Sequence, residues 1–269
     1  MPTVSILGCG WLGLPLAEEL LAEGYSVKGS TTRAEKLSVL TEKGINSFQI
    51  ALSEQGITGN ISAFLDTTEV LVLDIPPKLR TTASESFVQK IANLLPYIAQ
   101  SGVKKVLFIS STAVYPDEVS YNKVTEGYIP QPETENGKQL LQAEKLLLNH
   151  SSFQTTVLRF GGLVGADRHP VNHLAGKENI ANPEAPINLI HLEDCIGIIQ
   201  KILKTETWGE IFNAVAPYHP TRVAYYHRKA TAMQLPLPNF ACDEPSVGKL
   251  IASEKIQQVL QYSFRKTDF

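Results

Sequence analysis

The sequence predicts a doubly wound parallel α/β sheet with a smaller carboxy-terminal substrate lobe, and three observations carry that reading. Short apolar runs alternate with helical repeats over the first 160 residues, one run is unbroken as a strand covered on both faces must be, and a glycine-rich turn joins the first strand to the first helix. Val4-Ser5-Ile6-Leu7 is the first strand, after which Leu12, Leu16 and Leu20 recur at helical spacing until Gly24 closes the helix. Ser26 to Ser30 reads as the second strand, Ala34 to Glu42 as a helix and Ile45 to Ile50 as the third strand. Val70-Leu71-Val72-Leu73 is the unbroken run, and it stops at Asp74-Ile75-Pro76-Pro77, where a binding loop is expected to start. Phe87, Ile91, Leu94, Leu95 and Ile98 form one apolar stripe on a helix ended by Gly102, and Val106 to Ile109 follows as a strand.

From Pro116 to Glu135 the chain turns polar and proline-rich, which predicts a loop; Leu140 to Leu148 resumes a helix and Thr156-Val157-Leu158 a strand. Beyond Gly161 the signals thin to a strand near Ile187 to Ile190, a helix from Leu192 to Leu203 and two short helices. The expected organisation is therefore a dinucleotide-binding domain over 1–160 and a smaller substrate-binding lobe over 161–269, partly interleaved with it.

Composition narrows the function classes. With 269 residues, 43% hydrophobic and 19% charged, the chain can bury one large core, which excludes a disordered or fibrous class. A net charge of −3 leaves no basic surplus for a phosphate backbone, so nucleic acid is not expected as a partner, whereas a small anionic molecule is compatible. Cys9, Cys195 and Cys242 are too few and too scattered for a disulfide framework or a zinc site. No stretch of eighteen apolar residues occurs and the amino terminus has no basic segment leading into a long apolar run, so no membrane association and a cytoplasmic location are expected.

Gly8-Cys9-Gly10-Trp11-Leu12-Gly13 fits G-x-G-x-x-G in the context that gives the pattern meaning, after a strand and at the opening of a helix. The first glycine permits a tight turn, the second lets backbone approach a pyrophosphate, and the third allows close packing of helix on strand, as in a Rossmann fold. Gly8, Gly10, Trp11, Leu12 and Gly13 are accordingly candidate cofactor-binding residues. At the end of the second strand a carboxylate would read the hydroxyls of an NAD ribose, but Ser30-Thr31-Thr32-Arg33 occupies that corner. Thr31, Thr32 and Arg33 suit the 2′-phosphate of NADP, which is expected in preference to NAD; Lys36 is a weaker candidate, and a solvated charge at a helix start is the alternative for Arg33. Ile75 and Pro76 after the fourth strand, and Ser110 after the fifth, complete the cofactor set. No His-Glu-x-x-His spacing or acidic cluster points to a metal.

Ile109-Ser110-Ser111-Thr112-Ala113-Val114-Tyr115 resembles the S-S-x-x-V-Y segment of extended short-chain dehydrogenases/reductases. The glycine turn, Leu158-Arg159-Phe160-Gly161-Gly162, Ile190-His191-Leu192-Glu193-Asp194 and Ile211-Phe212-Asn213 look like further landmarks of that family, in order, across most of the chain. The G-C-G-W-L-G turn departs from the usual T-G-x-x-G-x-x-G and is similar to an atypical subgroup of NAD-dependent epimerase/dehydratase proteins. The resemblance implies a Ser that orients substrate oxygen, a Tyr that transfers the proton and a Lys four residues later that lowers the tyrosine's pKa. Ser111 takes the serine position, with satisfaction of a strand-end backbone group as its alternative. At the start of the helix beginning near Glu135, however, Asn136 and Leu140 stand where the Tyr and Lys would be, and Lys138 is turned about 200° away along the helix unless the helix start is locally unwound. Homodimerisation through two surface helices is also implied by the resemblance.

Tyr225 with Lys229 and Tyr262 with Lys266 match Tyr-x-x-x-Lys literally, but lie in the carboxy-terminal lobe and read as ordinary helix-surface pairs. Tyr115, Tyr121 and Tyr128 could supply a phenol from a loop, with Tyr115 also able to pack beside the cofactor. Asp167-Arg168-His169-Pro170 with His173 and Lys177 could clamp an anionic substrate, solvated loop charges being the alternative, and His191 reads as a helix cap. Three functions stay open: an NADP-dependent oxidoreductase or epimerase/dehydratase exchanging hydride with a carbonyl or carbinol carbon, such as that of a nucleotide sugar, with Ser111 as catalytic residue; a non-catalytic NADP(H) sensor or regulator; and a binding domain that merely retains the fold.

Overall fold

The computed structural model describes residues 2–77, 85–165, 167–241, 243 and 245–268, so Cys242 lies outside the described residues. Strand β1 (Thr3–Leu7) leads into helix α1 (Gly13–Ala22), then β2 (Ser26–Thr31), a short 3-10 turn, α2 (Leu37–Glu42) and β3 (Asn46–Gln49). A hairpin of β4 (Ala51–Ser53) and β5 (Gly56–Thr58) and a short α3 (Ile61–Leu65) precede β6 (Val70–Leu73). Then come α4 (Phe87–Gln100), β7 (Lys105–Ser111), β8 (Lys123–Val124), α5 (Glu135–Leu148) and β9 (Gln154–Phe160). The remainder holds β10 (Gly162–Val164), α6 (Val171–Leu174), β11 (Leu189–His191), α7 (Leu192–Thr205), β12 (Ile211–Ala214), α8 (Arg222–Ala232), β13 (Leu250–Ile251) and α9 (Glu254–Leu260).

Seven strands form one wholly parallel sheet in the order β12-β9-β7-β6-β1-β2-β3. The alternation of side chains sends each strand's apolar residues to both faces. Val4, Ile6, Val70 and Val72 join the side chains of α1 and α7, among them Leu16, Leu20, Ile198 and Ile202. Leu7, Leu71, Leu73 and Phe108 pack instead against α4 and α5, through Phe87, Ile91, Leu94, Ala143 and Leu147. Each such side chain withdrawn from water contributes about 1.5–3 kcal/mol, so these two layers hold the sheet. Among the described residues no helix is long and apolar enough to cross a membrane.

The chain winds from β1 outward to β3, then returns to place β6 on the other side of β1. The order therefore reverses between β1 and β6, and a crevice opens at their carboxyl ends, where Gly8 and Asp74 follow the last strand residues. The expected strand at Val70–Leu73 is the observed one, and α5, whose apolar pattern begins at Leu140, starts at Glu135 as the resemblance implies, with Thr134 capping it by accepting from the Gly137 N–H at 3.2 Å. The seventh strand, β12, comes from beyond residue 160 and pairs with β9; β8 and β13 pair with each other across more than 120 residues of chain.

Candidate functional site

The crevice is a cleft of about 460 Å³ whose floor is the glycine turn. Gly8 has φ +114°, and a Cβ there would meet the Asp74 carbonyl oxygen at 2.2 Å, so only glycine fits between β1 and β6. A Cβ on Gly13 would lie 2.2 Å from the Gly8 carbonyl oxygen, which seats the first turn of α1 on the end of β1. Gly10 has nothing within 4 Å of its missing Cβ, leaving open space over the turn. Ser30 ties this turn to β2: its hydroxyl accepts from the Gly8 N–H at 3.0 Å and its carbonyl from the Cys9 N–H at 2.7 Å.

Gly8, Gly10, Trp11 and Leu12 line the cleft with Thr31, Thr32 and Arg33 from the end of β2, Ile75 and Pro76 after β6, and Ser110 and Ser111 at the end of β7. Gly13 does not line it and acts from beneath. The structure thus brings the expected cofactor residues to one wall-to-wall cleft. Thr31 Oγ1 accepts from the Arg33 N–H at 3.2 Å, which turns the chain outward, and neither Arg33 nor Lys36, both exposed and both lining the cleft, has an ion-pair partner among the described residues.

Trp11 is held from the opposite side. Its indole N–H donates to Asp167 Oδ1 at 2.9 Å, and the Arg168 guanidinium lies 5.0 Å over its ring. Of the stretch expected to clamp an anion, Arg168 reaches the cleft, but His169, His173 and Lys177 do not. His169 instead faces Tyr225: their rings stack at 5.7 Å, Nε2 lies 2.8 Å from the phenolic oxygen and Nδ1 accepts from the Val171 N–H. Burial, aided by the Lys229 charge, lowers the imidazole to about 4, so it is neutral near pH 7.

Ser110 and Ser111 divide in role. Ser110 donates to Glu144 Oε1 at 2.6 Å, joining a buried pair in which Arg159 grips both oxygens of Glu144. Ser111 Oγ accepts from the Ala113 N–H at 3.2 Å, satisfying a strand-end amide, and still faces the cleft. Leu140 also lines the cleft, Lys138 is exposed away from it, and the Oδ1 of Asn136 is buried with no hydrogen-bond partner among the described residues.

The loop tyrosines correct one expectation. Tyr115 is buried away from the cleft, receiving from Arg159 Nη1 at 2.6 Å and donating to Asn213 Oδ1 at 2.9 Å. Tyr121 donates to the Ser246 carbonyl and Tyr128 to Glu118, and neither lines the cleft. Tyr225 and Tyr262 are not surface residues either, at 1% and 7% exposure. Tyr262 sits against Gly197 and donates to Asp194 Oδ1 at 2.8 Å. His191 caps α7, accepting from the Glu193 N–H. No cluster of three or more metal-ligating side chains occurs among the described residues.

Asp74, the first residue of the loop expected to bind, also lines the cleft, although it is not among the expected cofactor residues. Burial lifts its carboxyl to about 7, against the opposing pull of the Gly13 N–H and the Arg168 charge. The signal for it is positional: it follows the unbroken strand that pairs with β1, where an open α/β sheet holds its ligand. Cys9, Ile109 and Leu163 also line the cleft, and burial pushes the Cys9 thiol up to about 12, so it is an unreactive filler.

The sequence profile of the NAD dependent epimerase/dehydratase family matches residues 4–186. The chain belongs to that family. The protein YeeZ of Escherichia coli strain K12 is 32% identical over 271 residues, covering 100% of this chain and 97% of its own. The fold is shared with a short-chain dehydrogenase/reductase superfamily protein from Agrobacterium tumefaciens solved with bound NAD, at TM-score 0.80, 18% identity and coverage of 98% and 93% of the two chains. It is shared too with UDP-N-acetylglucosamine 4-epimerase from Bacillus cereus, at TM-score 0.77, 16% identity and coverage of 99% and 92%. The family member described here therefore has the parallel sheet and flanking helices of epimerase structures.

Proposed function

We propose that the cleft binds NADP(H) in preference to NAD(H) and that the protein is an oxidoreductase or epimerase/dehydratase acting on a carbonyl or carbinol carbon, with a nucleotide sugar as substrate class. The observation that carries the reading is the glycine turn: positive φ at Gly8, open space over Gly10 and close packing beneath Gly13 are the three conditions a bound pyrophosphate imposes on this motif. Backbone N–H groups at the start of α1 would hold the pyrophosphate. Arg33, with Lys36 one turn on, would hold the 2′-phosphate, and both have their charges uncommitted. The nicotinamide would supply the hydride chemistry. Ser111 would orient and polarise the substrate oxygen, its hydroxyl proton left for donation because its oxygen accepts from Ala113. Arg168, exposed beside the cleft, would receive an anionic part of the substrate.

Fluorescence titration with NADPH and NADH, beside Arg33→Ala, tests this reading. The variant is expected to weaken NADPH by about tenfold or more, which is about 1.4 kcal/mol, and to leave NADH nearly unchanged. Equal loss for both dinucleotides would contradict the 2′-phosphate role.

One observation favours a second reading, a non-catalytic NADP(H) sensor: Leu140 puts an apolar side chain into the cleft where the resemblance expects an amine, and Asn136 stands for the phenol. Turnover with nucleotide sugars that is lost in Ser111→Ala would decide for the enzyme. A homodimer fits either reading, since an apolar groove containing Val88, Leu95 and Leu146 lies open between α4 and α5 and Tyr97 on α4 is 40% exposed. Sedimentation at micromolar concentration checks it.

A further inference from the structure

Asp74 follows β6 at the point where the strand order reverses, and its carboxyl group lies in the cleft against the first turn of α1. A Cβ on Gly13 would lie 3.1 Å from Asp74 Oδ2, and the Gly13 amide favours the ionised carboxyl against its burial. This is the helix end whose N–H groups and dipole would receive a diphosphate, so an ionised Asp74 would face the ligand as a like charge. The surroundings offer little to offset it. The glycine turn presents the Cys9 thiol and α7 the Cys195 thiol, both raised first by burial and then by negative charge, that of Asp74 at Cys9 and those of Asp194 and Asp74 at Cys195, and so neutral near pH 7. The loop after β10 brings Arg168, and α1 brings only the Gly13 amide.

We propose that Asp74 is a proton-carrying contact of the dinucleotide: it binds as the neutral acid, donating its carboxyl O–H to a pyrophosphate oxygen, so that seating the ligand takes up one proton from solvent and its release returns it. The inference rests on the dinucleotide reading of the cleft. Its direction follows from the site as it stands, where burial already holds the group at about 7 and an adjacent diphosphate pushes it further up. Affinity then falls as pH rises above about 7, by up to tenfold per pH unit.

Calorimetric titration with NADPH and NADH at about pH 7 and about pH 8.5, in two buffers of different ionisation enthalpy, tests it. In that range the 2′-phosphate of NADPH is already dianionic and the diphosphate does not titrate, so proton uptake reports the protein. The expected result is uptake approaching one proton at the higher pH, with binding roughly tenfold weaker there. Asp74→Asn, neutral throughout and checked for folding by thermal melting, is expected to bind without uptake and without the pH slope. Wild-type binding with no uptake and no slope would overturn the role of Asp74 and leave the dinucleotide reading intact. An unchanged slope in Asp74→Asn would also overturn it, by placing the proton elsewhere. No binding of either dinucleotide at any pH would remove the reading of the cleft and this inference together.

Discussion

Arg159 and Glu144 are 3% and 1% exposed, and two nitrogens of the guanidinium reach the two carboxylate oxygens at 3.1 and 2.6 Å. Ser110, at the cleft wall, hangs from the same carboxylate, and Tyr115 closes the network through Asn213. Removing one charge strands the other in the core. Glu144→Gln or Arg159→Met is therefore expected to cost about 3–5 kcal/mol in urea unfolding, whereas the apolar pair Arg159→Met with Glu144→Leu should recover much of that loss. Asp74 behaves oppositely. Its folded pKa is raised, so its contribution to stability is fully present below its ordinary value of 3.8 and is lost as pH rises through about 7. Asp74→Asn should accordingly melt higher than wild type at pH 8, by on the order of 2 kcal/mol after allowance for partial solvent access, and no higher near pH 4. Of these residues the sequence makes Ser110 legible, through the serine pair ending a strand, and Arg159 as part of a family landmark, but not the buried pairing of Arg159 with Glu144, which depends on three elements meeting.

At the scale of elements, the turn from β1 into α1 is the part most fully determined by local sequence, because three glycines satisfy three separate steric conditions. Gly13→Ala would press a methyl against the Gly8 carbonyl at 2.2 Å, with no flexible side chain to yield. Loss of dinucleotide binding by more than about tenfold, with destabilisation of roughly 2 kcal/mol or more, is the expected outcome in titration and melting experiments. The clasp on this turn, from Trp11 to Asp167 and Arg168, was not legible, since it joins segments 156 residues apart. Elements were missed for related reasons. β12 is four residues long and carries Asn213, fully buried because its amide is spent on Tyr115 and Val124, so it lacks the apolar run that marks a central strand. β8 and β13, two residues each, exist only through each other. The first turn of α5 is polar and shows no periodicity, so its start at Glu135 is legible only through the family resemblance and is fixed by the Thr134 cap.

For the whole molecule, the placement of the cleft follows from connectivity. A parallel sheet that winds outward to β3 and returns beside β1 leaves the carboxyl ends of β1 and β6 uncovered, and the glycine turn, the Asp74 corner, the Arg33 corner and the two serines of β7 all end there. That convergence was readable in outline from alternating strands and helices, because each unbroken apolar run announces a strand covered on both faces. Which tyrosines face the cleft was not readable, since burial of Tyr115, Tyr225 and Tyr262 is decided by packing between distant segments. Equilibrium titration of the wild-type protein with NADPH, followed by nicotinamide fluorescence, reads whether this convergence holds a dinucleotide. Saturable binding of about one NADPH per chain, competed by NADP and more weakly by NADH, is the expected result. An absence of saturable binding by any of the three would contradict it.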